Sequence, residues 1–347
     1  MTRRLADPAI PSGPPVPPRD LDPDAPSGPS SGLFGLGLDP GQARFLALPV
    51  PWQATVSSGA GTIDGPRALV EASCQLDLCD PVLGEPWRHG FAALDEPADV
   101  RRMSGEVEAL VARLRAGETA LADEIDAAGD VLAAWVERAV GATLDGGRVP
   151  VVLGGEHAVS RGAFSAAAAR HPGLGILQLD AHADLRRAYE GLQCSHASVM
   201  RRALELDGVA RIVQVAVRDL SREESRLIGT EPRIVAFPDH RIAAARVEGR
   251  GFAELAHAIV GALPPAVWVS VDVDGLDPSL CPGTGTPVPG GLSWAEACYL
   301  VDLLARSEAR IVGLDVVEVG PSFWDGFVAA RLVYRLCGAA AARLEPL

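Results

Sequence analysis

The chain has 347 residues, of which 48% are hydrophobic and only 5% aromatic, and it carries a formal charge of −14. That length suits one large α/β domain or two ordinary ones, and the charge argues against nucleic acid or an anionic membrane as the main partner. Six cysteines without a C-x-x-C pair point to reduced thiols in a cytosol rather than a disulfide framework.

Residues 1–40 are rich in Pro, Gly, Ser and Asp, including Pro14-Pro15 and Pro17-Pro18. Such a stretch buries too little apolar surface to offset its ordering entropy and reads as a mobile tail ahead of a domain over 41–347. No apolar stretch follows Arg3-Arg4, so no export signal is expected, and no run reaches the ~18 apolar residues of a membrane span. A cytoplasmic protein is expected.

From Phe45 onward, strand-like and helix-like patterns alternate. Phe45–Val50 is a short apolar strand, followed by a Gly-rich loop over Ser57–Gly65. That loop lacks the G-K-[ST] ending of a phosphate loop and reads as a pocket wall or a turn. Pro66 opens a helix through about Cys79, and 99–141 holds two amphipathic helices. Further strands are expected at Val149–Leu153, Gly175–Leu179, Arg211–Val217, Arg233–Ala236, Val267–Val273 and Ile311–Val317. Helices fall at Ala158–Arg170 and at about 196–206, 221–229, 251–262, 293–307 and 325–343. This alternation predicts right-handed βαβ units in a mainly parallel sheet covered on both faces, a single three-layer α-β-α domain. Ligands of such sheets sit beyond the carboxyl ends of the strands, which is where every acidic or His cluster of this chain falls.

Leu179–Asp184 reads L-D-A-H-A-D and Val269–Asp277 reads V-S-V-D-V-D-G-L-D. Alternate strand residues share a face, so Asp180, His182 and Asp184 would point one way, as would Asp272 and Asp274. Val151–Ser160 (V-V-L-G-G-E-H-A-V-S) adds His157, Cys194-Ser195-His196 adds His196, and Gly313–Pro321 (G-L-D-V-V-E-V-G-P) adds Glu318. Buried carboxylates in such number are untenable without a cation. Two imidazoles and four carboxylates suit Mn²⁺ or a similar borderline ion, and six ligands suit two ions with shared carboxylates.

These motifs, with C-P-G-T-G-T-P-V-P-G-G-L (Cys281–Leu292) and the block Pro51–Leu69, resemble the ureohydrolase family of arginases and agmatinases, in its agmatinase-like branch. The resemblance covers about residues 44–340. It implies an arginase-like fold and two Mn²⁺ per chain, with Ni²⁺, Co²⁺ or Fe²⁺ compatible. His157, Asp180, Asp184 and Asp272 would hold one ion; Asp180, His182, Asp272 and Asp274 the other, bridged by Asp180 and Asp272. Metal-bound hydroxide would attack the guanidinium carbon to give urea and an amine. Glu318 would pair with the guanidinium, His196 would shuttle protons near the leaving amine, and Asp277 would orient a ligand. A homo-trimer or homo-hexamer is implied as well.

Two departures bear on the substrate. Glu156 stands where Asp is common in the family, and the loop Asp184–His196 lacks the polar set with which arginases hold an α-amino-acid head. Agmatine is therefore the expected small-molecule guanidino substrate, giving putrescine. Arg186 and Arg187 would instead suit a guanidino acid if they line the pocket. Guanidinobutyrate, guanidinopropionate, free guanidine or a formimino compound are alternatives, as is a catalytically silent regulatory subunit. His89, His171, His240 and His257 read as surface or cap residues, Cys194 and Cys281 as small fillers, and Trp52 and Trp324 as core more than pocket.

Overall fold

Apolar runs flanked by turn residues become strands: β1 Phe45–Val50, β2 Phe91–Ala93, β3 Val149–Gly154, β4 Leu174–Leu179, β5 Val209–Val215, β6 Ile234–Phe237, β7 Ala266–Asp272 and β8 Arg310–Val317. Every pairing among them is parallel, in the order β2-β1-β3-β8-β7-β4-β5-β6. A computed structural model describes residues 5–16, 21–25, 27–28, 31–59 and 61–344.

The helices are α1 Gly65–Ser73, α2 Ala98–Arg115, α3 Ala122–Asp145, α4 Ser160–Arg170, α5 Val199–Ala203, α6 Arg222–Thr230, α7 Asp239–Val247, α8 Phe252–Gly261, α9 Trp294–Arg306 and α10 Phe323–Ala341. Strand residues alternate between two cores. Phe45, Ala47, Val151 and Leu153 face Leu69 of α1, Leu300 of α9 and Leu332 of α10. Leu46, Leu48, Val50 and Val152 face Val107 of α2, Leu132 of α3 and Phe164 of α4. Both faces of the sheet are thereby buried in one three-layer α/β unit, as its parallel strands require. No helix among the described residues is long and apolar enough to cross a membrane.

Some elements differ from the sequence reading. Helix α1 stops at Ser73 rather than near Cys79: the Ser73 hydroxyl donates to Val70 O (2.7 Å) and accepts from Phe34 N (2.8 Å), and the chain turns at Gln75. Strand β2 is three residues long, too short to show a period, and exists by pairing Phe91 with Phe45. Helix α7 was not anticipated because it buries only Asp239, Ile242 and Ala245 and has no broad apolar stripe.

The described part of the N-terminal stretch lies on the body. Leu5 is buried, Trp135 Nε1 donates to Ala6 O (2.7 Å), and the buried Arg148 guanidinium donates to Pro11 O (3.1 Å) and Gly13 O (2.7 Å). Proline-rich backbone lacks N–H donors and leaves its carbonyls available as acceptors. Residues 1–4, 17–20, 26, 29 and 30 of that expected tail lie outside the described residues.

Candidate metal centre

Four neighbouring strands, β3, β8, β7 and β4, deliver the site at their carboxyl ends. Strand β3 runs into Gly155, where a Cβ would lie 2.1 Å from Trp52 O, so only glycine lets the two segments approach this closely. Glu156 and His157 follow. Strand β4 stops at Leu179, one residue before Asp180, and Asp184 has a left-handed backbone (φ 53°). Strand β7 ends on Asp272, whose carboxylate accepts from Asp274 N (3.0 Å) and starts a 3-10 turn over Val273–Gly275. Strand β8 ends on Val317, and Glu318 is also left-handed (φ 60°).

The acids and imidazoles therefore converge because the strands have ended and turned, not because an extended strand carries them on one face. Left-handed backbone at two non-glycine positions is strain of the kind concentrated at functional sites.

His157 Nδ1 lies 2.9 Å from Asp184 Oδ2, 3.1 Å from Asp180 Oδ2 and 3.8 Å from Asp272 Oδ2. His182 Nδ1 lies 3.0 Å from Asp274 Oδ2 and 3.6 Å from Asp180 Oδ1. Ligand atoms of His157, Asp180 and Asp272 fall within 4.8 Å of one another, as do those of Asp180, His182 and Asp274. Asp180 belongs to both groups, one oxygen toward each imidazole. Asp272 falls in the first group, and its Oδ1 also accepts from Asp274 N (3.0 Å).

The donor set fits a pair of cations. His157 Nδ1 and Asp274 Oδ2 are buried without a hydrogen-bond partner. Ser270 Oγ donates to Asp315 Oδ1 (2.8 Å), which fixes its single proton, so it accepts from His157 Nε2 at 2.9 Å. That leaves the His157 Nδ1 lone pair turned toward three carboxylates, an arrangement a metal ion satisfies.

Burial and mutual repulsion act in the same direction. Burial and the charges of Asp274, Asp180 and Glu318 push Asp272 well above the usual carboxylate range. Burial and Asp180 push Asp184 up to about 7. Burial also acts to raise Asp180, but its contacts with His157 and His182 hold it below the usual range. Burial opposes charge on His182, yet Asp180 and Asp274 bring it up to about 11. The side chains by themselves retain protons where cations would sit, so positive charge between them is demanded either way.

The remaining expected site residues divide. Glu318 is buried, and its Oε1 accepts from His157 N (2.9 Å). His196 lies in a 3-10 turn, half-buried, and lines a cavity of about 410 Å³ with His182, Asp184, Arg186, Tyr189, Asp219, Glu224, Ser57 and Ser58. Burial, with the charges of His182 and His157, takes His196 down to about 4, so its imidazole is neutral near pH 7. Asp277 stands apart. It is exposed, and its carboxylate accepts from Ser279 N (2.9 Å) and Ser279 Oγ (2.6 Å), closing a turn.

Arg186 packs over the Tyr189 ring at 5.1 Å and lies 3.8 Å from Glu224, while Arg187 pairs with Glu223 at the surface and does not line the cavity. Trp52 is core, and its Nε1 donates to Glu156 Oε1 (3.0 Å); Trp324 is exposed and stacks on Phe327. Sequence reasoning passed over Thr55, Ser270 and Asp315. An acid inside the apolar run of β8 and a serine in phase with Asp272 and Asp274 were usable signals; Thr55 offered none.

The sequence profile of the arginase family matches residues 43–340, and the chain belongs to that family. It is 32% identical over 303 residues to the N(1)-aminopropylagmatine ureohydrolase of Synechocystis sp., covering 85% of this chain and 89% of the relative. Its identity to a Thermus thermophilus enzyme of the same name is 34% over 305 residues, covering 86% and 90%. The crystal structure of agmatine ureohydrolase of Thermoplasma volcanium superposes with a TM-score of 0.67 at 25% identity, covering 86% of this chain and 90% of that one.

Proposed function

We propose that this hydrolase of C–N bonds releases urea from a linear guanidino compound whose far end is a cationic amine. The observation that carries the reading is the pair of ligand groups sharing Asp180, with His157 Nδ1 and Asp274 Oδ2 buried and unpartnered. His157, Asp180, Asp184 and Asp272 would hold one divalent ion, and Asp180, His182 and Asp274 the other, with Mn²⁺ favoured by the oxygen-rich donor set. When bound, such a pair supplies a water activated as nucleophile at neutral pH.

The chain's own residues do the rest. Glu318, one oxygen tied to His157 N, offers its other lone pairs to guanidinium N–H groups. His196, neutral and facing the cavity, takes up the proton that the attacking water loses and delivers it to the amine nitrogen as the C–N bond breaks. The cavity mouth favours a cationic tail: Arg186 is matched by Glu224, whereas Asp219 is exposed with no ion pair among the described residues. A guanidino acid would place its carboxylate beside these acids.

Agmatine is the first substrate this favours, giving putrescine. N1-aminopropylagmatine, with the same guanidino end and a longer cationic tail, is the second, supported by the names of the two relatives. Assembly as a homo-trimer or homo-hexamer in the cytoplasm belongs to the same reading.

The test is urea release by Mn²⁺-loaded protein, repeated with Ni²⁺, from agmatine, N1-aminopropylagmatine, arginine, 4-guanidinobutyrate, 3-guanidinopropionate and guanidine. Preference for either amine-tailed compound supports the reading. Preference for a guanidino acid would overturn the tail assignment, and no urea from any of them with metal bound would favour a formimino substrate or a regulatory subunit.

A further inference from the structure

Outside the ligand set, three side chains from distant parts of the sequence form a chain of hydrogen bonds. Thr55 Oγ1 lies 2.8 Å from Glu156 Oε1, 3.3 Å from His196 Nδ1 and 3.3 Å from the His196 backbone N. Glu156 is fully buried, and its oxygens also accept from Trp52 Nε1 (3.0 Å) and Thr55 N (2.8 Å). Trp52 Nε1 and Thr55 N can only donate, so both Glu156 oxygens serve as acceptors, with lone pairs left for the Thr55 hydroxyl.

A hydroxyl has one proton and two lone pairs. With the Thr55 proton committed to Glu156, both lone pairs are left for His196. One takes the backbone N–H and the other takes Nδ1–H. The ring is further held by Tyr189, edge to face with centroids 5.6 Å apart. The same order of carboxylate, hydroxyl and imidazole recurs at Asp315, Ser270 and His157, where the hydroxyl again donates to the acid and accepts from the ring.

We propose that Thr55, oriented by Glu156, is a positioning residue that sets His196 in its Nδ1–H tautomer and leaves Nε2 bare. The purpose of that tautomer rests on the function proposed above: a bare Nε2 is the atom that can take up the proton lost by the attacking water and hand it to the departing amine. The opposite tautomer would require Thr55 to donate to Nδ1, stripping Glu156 Oε1 of a buried hydrogen bond and leaving Nε2 already protonated. The Glu156 side chain reaches both Trp52 and Thr55 and so ties the two together.

The test reads the tautomer directly, on full-length protein labelled with ¹⁵N-histidine and loaded with diamagnetic Zn²⁺. Long-range ¹H–¹⁵N correlation, with His196→Gln used to assign the ring, should show Nδ1 protonated and Nε2 unprotonated. Thr55→Ser should keep that pattern and Thr55→Val should lose it. With Mn²⁺ and the best substrate of the panel, Thr55→Val should lower kcat about tenfold or more, with KM within about threefold, as for partial loss of general acid–base catalysis. Metal content should be unchanged, and Thr55→Ser should restore turnover.

An Nε2–H form in the unaltered protein would overturn the proposal even if Thr55→Val failed to fold. So would a Thr55→Val protein with unchanged tautomer and kcat. If the unaltered protein turned over no guanidino compound, the proposed function would fail, while the tautomer measurement would still decide the role of Thr55.

Discussion

Asp180 and Asp184 sit four residues apart, yet their surroundings assign them different work. Asp180 sends one oxygen toward each imidazole, while Asp184 touches only His157. Asp180→Ala should therefore abolish tight metal binding at both positions. Asp184→Ala should weaken only the one beside His157, leaving about one ion per chain. Elemental analysis after dialysis distinguishes the two, and equal loss in both variants would contradict the shared role of Asp180. Glu318→Gln keeps the side-chain shape and the acceptor for His157 N but removes the charge. It should retain metal and lower kcat/KM roughly ten- to a hundredfold, the value of a hydrogen bond to a charged group. Unchanged turnover would place the guanidinium contact elsewhere.

At the level of the elements, the site depends on turns that begin where strands stop. Gly275 closes the 3-10 turn after β7, and a Cβ there would lie 2.5 Å from Asp180 N, against backbone that cannot swing away. Gly275→Ala should push the β4 and β7 ends apart. We expect a loss of about 1–3 kcal/mol in urea denaturation, typical of overpacking, together with reduced metal content. Retention of both would mean that the two strand ends are independent. The loop between β4 and His196 is pinned from α2, where Arg115 donates to Glu190 (2.7 Å) and to Val56 O (3.0 Å). These contacts join the two loops that flank the cavity, the one carrying Thr55 and the one carrying Tyr189.

Across the whole molecule, the buried acids and imidazoles couple stability to pH. Asp184 and Asp272 have folded values raised above the unfolded one, and so do His157 and His182. At these four groups the metal-stripped folded chain thus holds more protons than the unfolded chain from about pH 4 upward, and they lower stability as pH rises. Metal displaces the protons and reverses the trend. Melting of chelator-treated protein should fall in temperature between pH 6 and pH 8.5, and added Mn²⁺ should raise it most at pH 8.5; a rise with pH in the stripped protein would contradict the assignment. The N-terminal segment is a separate lever. Deleting residues 1–16 removes two of the carbonyl partners of buried Arg148 and should cost about 1–3 kcal/mol, with urea turnover kept because no described residue of that segment lines the cavity. Loss of turnover with unchanged stability would show the segment acting on the site.

The alternation of apolar runs with helical stripes determined the parallel α/β architecture, since a strand buried on both faces must be apolar throughout and its crossover must be helical. The D-A-H-A-D, G-G-E-H and V-D-V-D-G motifs marked the acids and imidazoles that converge, because so many buried acids are tolerable only beside compensating positive charge. Tertiary structure alone decided the rest. Asp277 reads like its neighbours in sequence but turns outward to Ser279, and Arg186 is engaged by Glu224, which enters from α6. Thr55 lies 101 residues from Glu156 and 141 from His196, and no local pattern encodes a hydrogen bond across such distances. Residue spacing along the chain specifies which side chains share a strand end, whereas the proton carried by a histidine depends on what the folded sheet brings up against it.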